Sequence, residues 1–217
     1  MRLISIDVGM NNFVTITNNI GDEPIIIKGK ALKARNQWYN KCIKEIKEDK
    51  KADFNIRISR TASSSISYII DYFSEVSDWI IGYCISNNID TVIIGKYKIL
   101  EKKDFVSIPF EHFYSLLETK CKYYNIRYKV INEKYTSGTS FFDDEPPIKA
   151  YYNKQRRVYK HLWQCNNGDL VNADVNDSYQ IMRKAYPELF ENGIDGFKKD
   201  PRVVKMNKEC RVENRTF

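Results

Sequence analysis

The chain has 217 residues, 42% of them hydrophobic and 29% charged, which excludes a disordered polypeptide and allows one well-cored domain with additions rather than two full ones. No apolar run approaches the roughly 20 residues of a membrane span, and Asp7 interrupts the amino-terminal apolar stretch, so a soluble protein inside a cell is expected, with neither membrane helix nor signal peptide. Cys42, Cys84, Cys121, Cys165 and Cys210 stand singly, which argues against disulfides and a thiolate zinc site, while a net charge of +7 and a pI near 9.0 favour a polyanionic partner.

Alternation and β propensity predict strands over Arg2–Val8, Phe13–Thr17 and Pro24–Lys28, joined by an Asn-Asn turn and by Gly21-Asp22 into a meander. Ala34–Lys50 reads as a polar, lysine-rich helix with a solvated face. Ile58, Ala62, Ile66, Ile69, Phe73, Val76, Ile80 and Tyr83 recur at steps of three and four, which predicts a long amphipathic helix over Ile56–Asn87. "TVIIG", Thr91 to Gly95, is a short run of β-branched residues suited to a strand buried on both faces. Lys96, Lys98, Lys102 and Lys103 follow it, either as ordinary surface lysines or as the flank of a phosphate path. Phe110–Tyr124 reads as another amphipathic helix and Ile126–Asn132 as a strand ending at Glu133.

From Tyr135 to Val171 the sequence is polar and basic-aromatic. Within it "KAYYNKQRRVYKHLWQ", Lys149 to Gln164, interleaves Lys154, Arg156, Arg157 and Lys160 with aromatic rings, which suits either a solvated ribbon or phosphate neutralisation with base stacking. Helical periodicity returns over Asn172–Tyr186, and the last thirty or so residues read as a loosely ordered basic tail. His112 and His161 read as a helix-face and a ribbon residue rather than as ligands.

Asp7 at the end of the first strand, Glu133 at the end of a later one and Asp174 in the first turn of the last helix stand out by position. Strand ends and a helix start can converge at one edge of a sheet, and carboxylates gathered there repel one another unless hard divalent cations such as Mg2+ or Mn2+ sit among them. Each also has a plainer reading: Asp7 as a cap of the Gly9 turn, Glu133 as a surface residue before a turn, Asp174 as a first-turn acid favoured by the helix dipole.

The ordered segments resemble a family, the RuvC nuclease domain of TnpB-type, OrfB-like insertion-sequence proteins, RNA-guided relatives of type V CRISPR effectors. "ISIDVGMNNFVTIT" is similar to the first RuvC motif, "EKYTSGTSFFDDE" to the segment running from a strand into the Thr-Ser turn, and "GDLVNADVNDSYQIMRK" to the third motif; "TVIIGK" and "SIPFEHFYSLLETKCKYYNI" resemble intervening segments, so that the match runs in order from about residue 1 to 185. Two departures stand out. Gly95 occupies the place of the family's usual second-motif glutamate, and the resemblance to a rearranged subset implies that Glu133, on the neighbouring strand, replaces it. Where the family commonly carries two C-x-x-C zinc pairs, Ser140, Asp143, Cys165 and Gly168 stand instead, so zinc is not expected, and the insert is expected either to be held by packing of Phe141, Phe142, Tyr159 and Trp163 or to be mobile without its partner.

The resemblance implies an α/β fold, RNase H-like (RuvC-like), a mixed sheet flanked by helices, with a nuclease core over residues 1–134 and 171–185, a basic-aromatic insert over 135–170 in place of a zinc ribbon, and a tail over 186–217. It implies a Mg2+- or Mn2+-dependent DNA endonuclease in which Asp7 bridges two ions and Glu133 and Asp174 each hold one, while Lys96, Lys98, Lys154, Arg156, Arg157 and Lys160 contact nucleic acid. The expected partners are DNA, a guide RNA, and the recognition region or subunit that the family places before its first motif; no membrane is expected, the oligomeric state stays open, and the location is the cytoplasm beside the nucleoid, or the nucleus in a eukaryotic or viral setting. A nuclease-inactive nucleic-acid-binding module and a dimeric Holliday-junction-resolvase-like enzyme are the alternatives. An actin-like phosphotransferase would need a second Gly-rich phosphate loop, for which nine glycines with no Gly-Gly pair leave no place.

Overall fold

The computed structural model describes residues 1–49, 53–96, 108–159 and 161–206; Lys98, Lys102, Lys103, Lys160 and Cys210 fall outside them. The chain opens with β1 (Leu3–Val8), β2 (Asn12–Asn18) and β3 (Ile25–Lys28), an antiparallel meander, as the turn residues predict. A helical hairpin of α1 (Lys30–Asp49) and α2 (Phe54–Ser86) follows, then β4 (Thr91–Lys96), α3 (Phe110–Tyr123) and β5 (Arg127–Asn132). A short antiparallel hairpin of β6 (Leu162–Gln164) and β7 (Leu170–Asn172) leads directly into α4 (Ala173–Ala185), and β8 (Arg202–Val204) closes the described chain. The main sheet runs β5-β4-β1-β2-β3-β8, with β4 parallel to β1, β5 parallel to β4 and β8 parallel to β3.

Strand periodicity divides the core between the two faces of this sheet. Ile4, Ile6, Val92 and Ile94 face α2 and α3, where Phe13 stacks on Phe73 with ring centroids 5.2 Å apart and tilts against Phe113 at 4.8 Å. Leu3 and Ile93 face the other way, onto Val175, Tyr179, Ile181 and Met182 of α4 and onto Phe141. Ser5 lies on this second face too, and its hydroxyl joins Thr17 Oγ1 at 2.6 Å and the Ser178 carbonyl at 2.7 Å, a buried polar seam that fixes α4 along β1 and β2.

Three sequence expectations need correction. Ile66, placed in the apolar stripe of α2, is 47% exposed, because the first half of that helix packs against α1 and buries little beyond Ser65. Tyr159, expected to help hold the insert, is 71% exposed, whereas Phe141 and Trp163 are fully buried. The segment after α4 is not loose through residue 206: Phe190 and Phe197 pack on Phe141 at 5.3 Å each, Tyr179 donates its hydroxyl to the Lys198 carbonyl at 3.1 Å, and β8 extends the sheet. Its aromatics are too widely spaced to show periodicity, which is why composition alone suggested a tail.

Candidate metal centre

The parity that sends Leu3 and Ser5 toward α4 sends Asp7 there as well, at the carboxyl end of β1. On β4 the same face carries Ile93 and Gly95; on β5 it carries Lys129, which donates to the Ala185 carbonyl at 2.8 Å, then Ile131 and, just beyond the strand, Glu133. α4 starts at this edge. Asn172 is its N-cap, accepting from the amides of Asp174 at 3.0 Å and Val175 at 3.2 Å, which sets Asp174 in the first turn. Asp177 follows one turn later on the same side. Carboxylate oxygens of Asp7, Asp174 and Asp177 lie within 4.8 Å of one another.

Glu133 is outside that trio yet reaches toward it. Gly95 pairs in register with Ile131, and a Cβ at Gly95 would run into Glu133 Oε1 and come within 2.8 Å of Glu133 Cγ. The Glu133 side chain therefore lies across the bare backbone of β4, in the place a side chain on residue 95 would claim. The turn after it is tied down: Thr136 donates its amide (3.1 Å) and hydroxyl (2.8 Å) to the Glu133 carbonyl, and Tyr135 takes up a left-handed φ of 75°.

Burial, joined at Asp7 and Asp177 by neighbouring negative charge, shifts three of these acids. Burial, then the charges of Glu133, Asp177 and Asp174, raise Asp7 well above the ordinary carboxylate range, with Arg157 pulling the other way. Burial pushes Glu133 up to about 7 against the opposing Lys184, and pushes Asp177 up to about 7 despite Arg157. A donor set made wholly of carboxylates whose repulsion a cation would relieve fits a hard divalent cation.

The neighbours of the acids are fixed. A β-bulge between Asn12 and Val14 turns Phe13 into the α2 side and frees Asn12 for the acidic face, where Asn12 Nδ2 donates to Asp174 Oδ2 at 2.6 Å and Oδ1 accepts from Lys28 Nζ at 2.8 Å. Arg157 Nη2 donates to Asp177 Oδ2 at 3.0 Å and to Asp174 Oδ1 at 3.4 Å. His161 Nδ1 stands 4.0 Å from Asp174 Oδ2, closer to the acids than a plain ribbon residue.

Of the other residues singled out in the sequence, Lys96 is paired with Glu111 at 2.6 Å and lies over the Tyr114 ring. Lys154 is exposed beside the Tyr152 ring, which in turn meets Tyr135. Arg156 points into the insert, paired with Asp143 and, at 2.6 Å, with Glu145, beneath the Trp163 ring. At the positions where a zinc ribbon would carry thiolates, Asp143 also accepts from the Asn166 amide at 2.9 Å and Cys165 is buried beside Ser140. Asp177 was missed in the sequence, where its one legible signal is the three-residue step from Asp174.

Two family models match the chain in succession: OrfB_IS605, described as "Probable transposase", over residues 2–100, and the Cas12f1-like TNB domain over residues 110–181. Together these two matches support a TnpB/Cas12f-type protein. Two solved structures share its fold: a Cas12f1-sgRNA-target DNA complex (19% identity, TM-score 0.61) and a CRISPR-Cas12f ternary complex (18% identity, TM-score 0.67). Each match covers 83% of this chain, but only 49% and 38% of the respective Cas12f chains, so this sequence spans half or less of their length. No curated protein gives a significant match. The fold is RuvC-like, the mixed sheet flanked by helices that the Cas12f structures share. Among the described residues, no helix is long and apolar enough to cross a membrane.

Proposed function

We propose that this chain is the nuclease portion of an RNA-guided DNA endonuclease, with Asp7, Glu133 and Asp174 as the ligands of a Mg2+ or Mn2+ centre. The observation that carries this reading is Glu133 lying across Gly95: one strand lacks the acid and the next strand reaches over to supply it at the same face. A surface glutamate would have no reason to run beneath α4 with its carboxyl raised to about 7.

The ions, when bound, activate the attacking water on one side of a phosphodiester and stabilise the leaving oxygen on the other. The protein's part is placement. Asp7 is presented by the rigid end of β1, Glu133 by the tied turn after β5, and Asp174 by a capped helix whose carboxylate Asn12 and Lys28 orient. In the insert Arg157 reaches the acids, and Lys154, Tyr152 and Tyr135 form a cation-and-ring group of the kind that neutralises phosphates and stacks on unpaired bases. One of the similar structures is a complex with sgRNA and target DNA, and the same kinds of partner, with a recognition region or subunit, are proposed for this chain.

The test is cleavage of labelled single-stranded DNA in Mg2+ or Mn2+ by wild type, Asp7→Ala, Glu133→Ala, Asp174→Ala and the transposed double variant Gly95→Glu/Glu133→Ala. Loss of a metal-dependent cut in all three single variants, with partial return in the double, supports the centre. A wild type that binds DNA but never cuts it would favour the inactive binding module.

A further inference from the structure

Asp177 has no part in the three-ligand centre proposed above, yet it is 6% exposed and holds a cation. A single nitrogen, Arg157 Nη2, is shared between Asp177 Oδ2 at 3.0 Å and Asp174 Oδ1 at 3.4 Å, with the shorter bond to Asp177. The other oxygen of Asp174 is taken by Asn12, which leaves Oδ1 as the atom for which Arg157 and a metal ion compete. Arg157 Nε is buried with no hydrogen-bond partner among the described residues, and the guanidinium's hydrogen bonds to side chains there go to these two carboxylates.

We infer that Asp177 is a positioning residue that draws Arg157 away from Asp174 and so keeps the Asp174 carboxylate available to a divalent cation. With Asp177 ionised, the guanidinium has a partner one helical turn from the ligand, and the basic insert is anchored beside the centre without neutralising it. Without Asp177, the one carboxylate to which Arg157 still hydrogen-bonds among the described residues is Asp174, the ligand. This inference rests on Asp174 being a metal ligand.

The experiment is Mn2+ titration of the metal-stripped full chain, read from the free-ion paramagnetic resonance signal and needing no cleavage activity. It compares wild type, Asp177→Asn, Arg157→Gln and the double variant, with circular dichroism confirming that each is folded. Asp177→Asn is expected to weaken Mn2+ binding on the order of tenfold or more, the usual scale for a residue behind a ligand. The double variant is expected to recover wild-type affinity, because the competitor has gone with its decoy. If Asp177 were itself a ligand, or merely structural, the double would bind Mn2+ more weakly than Arg157→Gln alone, and that result overturns the inference, as does undiminished binding by Asp177→Asn. Failure of wild type to take up Mn2+ overturns the metal centre and this inference together, whereas uptake by wild type without rescue overturns this inference alone.

Discussion

At the scale of single residues, one absent side chain governs the site. Glycine inside a strand normally weakens it, by roughly 0.5–1 kcal/mol relative to alanine, so Gly95→Ala should stabilise β4 unless the space is already taken. Here Glu133 Oε1 and the Ile181 tip fill it. Gly95→Ala is therefore expected to displace the Glu133 carboxylate and to lower metal-dependent cleavage on the order of 10- to 100-fold, the scale found when a ligand's support is removed. Rates measured over a Mn2+ series check this, and an unaltered rate would mean that Glu133 does not act from where it lies. In the sequence, Gly95 reads only as a small residue ending an apolar strand. What it makes room for is visible once β5 is seen beside β4 in parallel register. Asn12 was hidden for a similar reason: without the bulge, strict alternation would put it on the face opposite Asp174.

At the scale of elements, the insert shows how a ribbon without thiolates is held. Arg156 bridges Asp143 and Glu145, donates to the Gln164 carbonyl at 3.1 Å and lies 5.2 Å from the Trp163 ring, with side-chain exposures of 17%, 8% and 13% for the cation and its two acids. Removing one member of so buried a network strands the others, a loss of roughly 3–5 kcal/mol. Arg156→Ala is thus expected to loosen residues 135–170 and open them to limited proteolysis while the main sheet keeps its protection, as hydrogen exchange would show. Equal loss of protection throughout would instead make the insert part of one cooperative unit with the sheet. Long periodic elements such as α2 and the buried run of β4 were legible because burial repeats along many residues. The insert was legible only in composition, since its order rests on pairs such as Asn176 with Phe141, where Oδ1 accepts from the amide at 2.8 Å, that no local pattern announces.

At the scale of the whole molecule, carboxyls raised in the folded state make stability depend on pH with a definite sign. Asp7, Glu133 and Asp177 are all raised, the last two to about 7, whereas in an unfolded chain such groups titrate near 4. Between those values the folded protein binds more protons than the unfolded one, so the contribution of these groups is fully present below about pH 4 and is lost as pH rises through about 7. Asp90 acts in the opposite sense, being lowered to about 2, but its window closes below pH 4 and leaves the neutral range to the cluster. In chelator the melting temperature should therefore fall from pH 5 to pH 8, by roughly 2–4 °C for each kcal/mol lost in a chain of this size. Saturating Mn2+ should flatten or reverse the slope, because a cation binds the ionised cluster and not the unfolded chain. Glu133→Gln, which cannot ionise, should flatten part of the slope even in chelator. Scanning calorimetry of wild type and this variant across that range, with and without Mn2+, separates the outcomes: a slope in wild type that neither the ion nor the substitution changes would place its origin outside Asp7, Glu133 and Asp177.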